Sequence, residues 1–208
     1  MNRILFESSE IADGVATCSD ARAEHILSVL HGEVGQTLKT GEIDGRIGTG
    51  EIVAIDGPTV RIRVSHDTDS LQPWCDLVLA PPRPRVMKRL LPQLATLGVG
   101  TIVLVGAKKV EKDFWGATLL KEENFRRFVT DELDALFPTS NRIVGHPGGA
   151  SGSSVRREGR LLLAVGPEGG WTDDEVDLLE SRGFSRYSLG ERILRTDTAL
   201  VALLSRFM

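Results

Sequence analysis

From residue 73 onward, short apolar runs alternate with longer amphipathic stretches. The runs "DLVLA" (76–80), "TIVLVG" (101–106), "RIVGH" (142–146) and "LLLAVG" (161–166) have the length of strands. Between them lie the helical patterns "RVMKRLLPQLATLG" and "KEENFRRFVTDELDAL". Near-continuous apolar strands are those buried on both faces, which is the situation of a parallel sheet covered by helices. This half of the chain is therefore expected to be α/β. Pro92 predicts that the first of these helices begins late or bends, because proline inside a helix removes an N–H and costs about 3 kcal/mol. The preceding 72 residues read differently. "SDARAEHILSVLHG" predicts one short helix, with Ser19 or Asp20 as cap, Ile26, Leu27 and Leu30 on one face, and Gly32 as its stop. "GRIGTGEIVAI", the turn "DGPT" and "VRIRV" read as hairpins of a small β domain. The expected boundaries are 1–72 and 73–208.

With 208 residues, 41% of them hydrophobic and 26% charged, the chain can bury a core, and disorder is excluded. The start "MNRILFESSE" turns polar too early for a signal peptide, and no run nears the ~20 apolar residues of a membrane span, so a cytoplasmic location is expected. Cys18 and Cys75 lie far apart and without metal-ligand spacing, which argues for two small buried side chains. The net charge of -4 speaks against a generally basic nucleic-acid binder, but the charge is unevenly spread. Residues 1–72 hold 6 basic and 12 acidic residues, 73–127 hold 10 and 5, and 128–208 hold 9 and 12. The positive middle centres on "PPRPRVMKRL", where Arg83, Arg85, Lys88 and Arg89 form either a phosphate-contacting patch or a solvated helix face.

Open α/β sheets bind ligands at the carboxyl ends of their strands, so three turns matter: "GHPGGASG" (145–152), "GPEGG" (166–170) and the start of "SLGERILRTDTALVALL" (188–204). None matches G-x-G-x-x-G or ends in G-K-[ST], so a nucleotide held here would be bound by backbone amides and carbonyls and would lack phosphates. Thr172 and Glu175 have capping-box spacing, which accounts for a helix start but not for three glycines ahead of it. Two rival classes compete with a nucleoside-cofactor enzyme. A noncatalytic RNA-binding module suits the basic patch, but 5% aromatic residues leave few stacking platforms. A dinucleotide-dependent oxidoreductase suits the turns but lacks the fingerprint glycines.

"LLLAVGPEGGWTDDEV" followed by "SLGERILRTDTAL" resembles the ribosomal RNA small-subunit methyltransferase E family of the SPOUT superfamily. The resemblance extends through "AEHILSVL", "DGRIGTGEI", "PRPRVMKRLLPQLATLGV" and "VEKDFWGATLLKEENFRR". It implies a PUA-like β-barrel RNA-binding domain followed by a SPOUT α/β domain with a trefoil knot. It also implies S-adenosylmethionine as cofactor, N3 of one uridine in 16S ribosomal RNA as methyl acceptor, no metal, and a homodimer. An inactive RNA-binding relative, or a SPOUT enzyme acting on another RNA, is the alternative within this resemblance. Two departures stand out. "FRRFVTDELDALFPTSN" passes directly across a segment that the family normally carries with a Gln and an Arg, and Asp197 stands where the family motif usually has Glu.

The cofactor loops implied are Gly145 to Gly149, Gly166 to Gly170 and Leu189 to Ala199. The expected cofactor residues are His146 and Pro147; Val165, Gly166, Pro167, Glu168, Gly169 and Gly170; Leu189, Gly190, Ile193 and Leu194; and Arg195, Thr196, Thr198 and Ala199. A Cβ at Gly169 is expected to fill space taken by the ligand or by a crossing loop. Uracil N3 carries a proton in a base-pairing edge, so the base must be presented unpaired, and negative charge must be stabilised on O2 and O4 as methyl is transferred. Arg195 is the first candidate for that task and Arg192 the second, with Asp197 or Glu168 accepting the proton or orienting Arg195. Each carboxylate also has a structural reading, Glu168 as a cap for the helix near Thr172 and Asp197 in the first turn of the last helix. Arg3, His25 and Arg46 are expected to contact RNA together with Arg83, Arg85, Lys88 and Arg89, so that both domains share the substrate. The apolar face Leu200, Leu203, Leu204 and Phe207 is expected to form a homodimer interface together with neighbouring surface, with an internal core helix as the alternative.

Overall fold

A computed structural model describes residues 3–110, 122–150 and 159–208. Most of "VEKDFWGATLLKEENFRR" lies outside the described residues. The chain divides into two compact units, Met1–Leu71 and Gln72–Met208.

The first unit is a six-stranded sheet in the order β1-β4-β5-β6-β3-β2, formed by β1 (Arg3–Phe6), β2 (Ile11–Ala12), β3 (Val15–Cys18), β4 (Thr37–Glu42), β5 (Ile47–Asp56) and β6 (Thr59–Thr68). The expected hairpin is β5 to β6, turning at Gly57, whose φ of 61° is a conformation that suits glycine. Helix α1 (Ala21–Ser28) starts at Asp20, whose carboxylate accepts from the Arg22 backbone N–H. Alternate residues such as Ile4, Phe6, Ile52 and Ile62 join Ile26 of α1 in one core. The parallel pairing of β1 with β4 was not expected from sequence, because β1 sits in the polar-flanked start of the chain.

The second unit is a five-stranded, all-parallel sheet in the order β11-β9-β10-β7-β8, formed by β7 (Cys75–Leu79), β8 (Val99–Leu104), β9 (Asn141–Ala150), β10 (Leu161–Val165) and β11 (Ser185–Tyr187). The pleat sorts its residues to two faces. Leu77, Leu79, Leu161 and Leu163 face Met87, Leu90 and Leu94 of α2 (Pro84–Thr96) and the last helix. Val78, Leu162 and Ala164 face Phe125 of α3 (Glu122–Arg127), Leu133 of α4 (Leu133–Leu136) and Val176 of α5 (Asp173–Glu180). Helix α2 begins at Pro84, where the missing N–H costs nothing, and continues through Pro92 rather than starting after it. Between α3 and α4 the helix widens to a π-turn over Phe128–Glu132.

Helix α6 (Thr196–Phe207) corrects the expected interface. Leu200, Leu203, Leu204 and Phe207 are buried in this chain's own core against the sheet, so the apolar face of α6 is internal. Cys18 and Cys75 are both buried, as expected. Among the described residues no helix is long and apolar enough to cross a membrane.

Candidate functional site

Two cavities lie in the second unit, where strands β7, β9, β10 and β11 end. The smaller, about 250 Å3, is walled by His146 and Pro147 within β9, by Val165 at the end of β10 and Gly166 to Gly170 after it, and by Leu189, Gly190, Ile193 and Leu194 after β11. Thr196, Ala199 and Leu203 of α6 close it. The larger, about 780 Å3, is walled by Arg83, Pro84, Arg85 and Val86 at the start of α2, by Glu168, and by Arg195, Thr196 and Asp197. Glu168 and Thr196 belong to both, so they form the partition between the cavities.

The density of glycine before α5 has a steric cause. A Cβ on Gly166 would stand 2.9 Å from the Trp171 backbone nitrogen and 3.2 Å from the Gly170 carbonyl carbon, closer than side chains pack. The loop folds back so tightly because the Gly170 N–H donates to the Pro167 carbonyl at 2.8 Å, with Gly170 at φ 70°. Gly169 meets the crossing-loop expectation: its Cβ would stand 3.0 Å from Lys109 Cβ and 3.1 Å from Lys109 Cδ, in the loop after β8. Trp171 is buried and stacks on Phe125, with centroids 5.3 Å apart. The capping box of α5 forms as expected, with the Thr172 N–H donating to Glu175 Oε2 at 2.8 Å. Buried Glu175 also accepts from the Lys108 N–H at 2.8 Å, which ties the loop after β8 to α5. Glu168 is thereby free of the capping role that its position allowed.

In the small cavity, Leu189, Ile193, Leu194 and Ala199 give an apolar lining, and Ser188 Oγ both donates to the Gly190 carbonyl and accepts from its N–H. His146 Nδ1 is buried with no hydrogen-bond partner among the described residues. Such a group costs free energy unless a ligand atom satisfies it. Two expected members are absent from this lining: Arg195 belongs to the larger cavity, and Thr198 bonds Asp197 Oδ1 through its N–H at 3.0 Å. Tyr187, Ser188 and Leu203 line the cavity and were missed. Leu203 was legible, since Thr196, Ala199 and Leu203 repeat at helical spacing along one face of α6.

The larger cavity carries the charge. Asp197, in the first turn of α6 as expected, accepts from Arg89 Nη2 at 2.6 Å and lies 3.7 Å from Arg195 Nε. Burial alone would raise its pKa. The Thr198 N–H, the Arg89 guanidinium and Arg195 outweigh burial and hold the carboxyl below its ordinary range. Arg89 is therefore an ion-pair partner of Asp197, while Arg83 and Arg85 line the cavity and Lys88 is exposed on α2 outside it. Arg3 is half-buried and donates to the backbone carbonyls of Thr40 at 2.6 Å and Gly48 at 3.3 Å, an internal tie of the sheet. Exposed Arg46 pairs with Asp69 at 3.0 Å, and His25 lies in the last turn of α1.

A family model described as an RNA methyltransferase domain matches residues 129–208. The Ribosomal RNA small subunit methyltransferase E of Treponema pallidum is 29% identical over 236 aligned positions, covering 97% of this chain and 88% of the relative. Those 236 positions exceed the 208 residues of this chain by 28, so the relative carries at least that many residues with no counterpart here. The protein of the same name from Synechocystis is 51% identical over 47 residues, 23% of this chain and 16% of the relative. Among solved structures, a Ribosomal RNA small subunit methyltransferase E from Neisseria gonorrhoeae bound to S-adenosyl methionine shares the fold. Its TM-score is 0.77 at 19% identity, with 99% of this chain and 96% of that one covered. A putative methyltransferase from Legionella pneumophila, in complex with the same cofactor, matches with a TM-score of 0.77 at 22% identity over 98% and 95%.

Proposed function

We infer, from the premise that this chain belongs to the ribosomal RNA small subunit methyltransferase E family, that it methylates ribosomal RNA of the small subunit with S-adenosylmethionine, at N3 of a uridine. The observation that carries this reading is the partition: a glycine-walled, largely apolar cavity meets an arginine-lined one at Glu168 and Thr196. An uncharged adenosine and its methionine tail need backbone partners and apolar contact rather than a phosphate nest. The small cavity fits that demand through the loop Gly166–Gly170, the apolar Leu189, Ile193, Leu194 and Ala199, and the unsatisfied His146 Nδ1.

The bound cofactor supplies an electrophilic methyl carbon on a sulfonium. The rest of the work falls to this chain, which must hold the acceptor close, aligned and dry. Arg83 and Arg85 suit a phosphate of the RNA backbone. Arg195, with most of its side chain in solvent, suits the negative charge that spreads to O2 and O4 of the base. Asp197, clamped by Arg89, positions Arg195.

The finer architecture follows from the same membership. The six-stranded first unit supports a PUA-like barrel that contacts RNA, and the all-parallel second unit with its returning α6 supports a SPOUT trefoil knot. A homodimer would need a surface other than the core face of α6, and exposed Leu91 and Ile193 offer apolar area for it. A ribosomal substrate implies a cytoplasmic site of action. Calorimetry with S-adenosylmethionine against NAD tests the cofactor. Mass spectrometry of 16S ribosomal RNA from a strain lacking the gene tests the product, and a fully methylated uridine set in that strain overturns the reading.

A further inference from the structure

We propose that Glu168 is the group that takes the N3 proton from the target uracil, while Asp197 only positions arginine. The inference rests on the uridine N3 reading above and decides between two carboxylates that the sequence leaves equivalent.

Location separates them first. Glu168 lines both cavities, so its carboxylate stands where a base in the arginine-lined cavity would meet a methyl donor in the other. Asp197 lines the larger cavity alone. Occupancy separates them next. Asp197 Oδ2 accepts from Arg89 at 2.6 Å and its Oδ1 accepts from the Thr198 N–H at 3.0 Å, so both oxygens are engaged. Its depressed pKa makes it a still weaker base. Glu168 is exposed, its Oε1 has one long contact from the Arg83 N–H at 3.4 Å, and its Oε2 has no partner among the described residues. His146 lines only the small cavity and so does not meet the base.

The step balances without a further reactant. The N3–H proton passes to a Glu168 oxygen, and the N3 lone pair forms the new bond to the methyl carbon. The carbon–sulfur bond breaks with its electron pair left on sulfur, so the sulfonium charge disappears, and Glu168 later returns its proton to water. Among the described residues, the charged groups facing Glu168 are Arg83 and Arg85 from α2, and Arg195 and Asp197 from the start of α6. Arg192 and the titratable His146 face it from the small cavity, and Lys109 lies against neighbouring Gly169.

The test is single-turnover methyl transfer to small-subunit RNA by wild type, Glu168→Gln and Glu168→Asp across neutral to alkaline pH, with calorimetric titration of S-adenosylmethionine on each. Glu168→Gln is expected to slow transfer at neutral pH by about 100-fold or more, the lower range for loss of a general base. The deficit should shrink as pH rises, because hydroxide then removes the N3 proton. Glu168→Asp should keep an intermediate rate with the same convergence, and it carries the test if the glutamine variant does not fold. Cofactor affinity should stay within about threefold of wild type, so that slow chemistry is not mistaken for weak binding. A deficit equal at every pH, a rate close to wild type, or a parallel loss of cofactor affinity overturns the role of Glu168 while leaving the methyltransferase reading intact. Wild type that binds the cofactor and transfers no methyl to uridine overturns that reading, and the proton acceptor with it.

Discussion

Replacing Gly166 by alanine tests whether the tight return of the loop after β10 shapes the small cavity. The added Cβ would stand 2.9 Å from the Trp171 nitrogen and 3.2 Å from Trp171 Cδ1. Neither atom can retreat easily. Trp171 is buried and stacked on Phe125, and its nitrogen follows Gly170, which is held at φ 70° by the bond from its N–H to the Pro167 carbonyl. Overpacking of this kind costs about 1–3 kcal/mol. Gly→Ala returns about 0.4–1 kcal/mol by restricting the unfolded chain. The expected net destabilisation is about 1–2 kcal/mol. At Gly169 the Cβ would stand 3.0 Å from Lys109 Cβ and 3.1 Å from its Cδ, a contact with a side chain rather than with backbone, so Gly169→Ala should cost less than Gly166→Ala, about 1 kcal/mol or less.

All three tryptophans, Trp74, Trp115 and Trp171, belong to the second unit, so fluorescence-detected urea unfolding reports on that unit alone. Each transition can be fitted without assuming that the two units unfold together. Calorimetry on the same variants reads the cavity: a wall displaced by the extra methyl should weaken S-adenosylmethionine about tenfold or more, equivalent to about 1.4 kcal/mol. If Gly166→Ala unfolds and binds like Gly169→Ala, the close return of the loop is not what shapes the site, and the steric account of "GPEGG" fails.

Arg195→Ala should bind S-adenosylmethionine nearly as wild type does and transfer methyl about 100-fold more slowly under single-turnover conditions, since its contact is made in the transition state. Lost cofactor affinity would make it a structural arginine instead. Arg160→Met should destabilise the second unit by about 1–3 kcal/mol in urea. It would strand the buried Asp76 carboxylate, bonded at 2.5 and 2.7 Å, and the figure is reduced from the ~3–5 kcal/mol of a fully buried pair because Arg160 is 44% exposed. In the first unit, the hydrogen bond from Arg22 lowers the Glu10 pKa to about 2. A depressed carboxylate stabilises the fold above its unfolded value, and the contribution disappears as pH falls from about 4.5 towards 2. NMR titration of the Glu10 carboxyl should show that low midpoint, and Glu10→Gln should flatten the acid limb of unfolding.

What the chain makes legible is chemistry settled within a few residues. The capping box of Thr172 and Glu175, the cap at Asp20 and the hairpin at Gly57 each depend on neighbours two or three positions away, and each forms. The loops of the small cavity were legible because their glycines and prolines report close backbone approach. What stayed hidden is non-local. The order β11-β9-β10-β7-β8 depends on which crossovers pack, a choice that no single strand records. The pairing of Arg89 with Asp197 joins residues 108 positions apart, so a basic run that looked free for RNA gives one of its members to the site's own carboxylate. The face of α6 shows the same limit: an apolar stripe says that something covers it, and here the covering surface is the chain's own sheet.

The Arg89–Asp197 pair also determines the charge available at the arginine-lined cavity. With Asp197 compensated by Arg89, the lining still holds Arg85 and Arg195 beside Glu168. Before reaction that balance suits one RNA phosphate and a neutral base. When Glu168 takes the proton, its negative charge disappears as the base acquires one, so the arginines face an anion without a competing carboxylate beside it. Stabilisation then grows in step with the charge that needs it, which is the condition for an electrostatic interaction to speed the reaction rather than merely tighten binding. An ionised Asp197 without Arg89 would oppose this by drawing Arg195 to itself. Arg89, outside both cavities, thus affects the reaction through the carboxylate it holds.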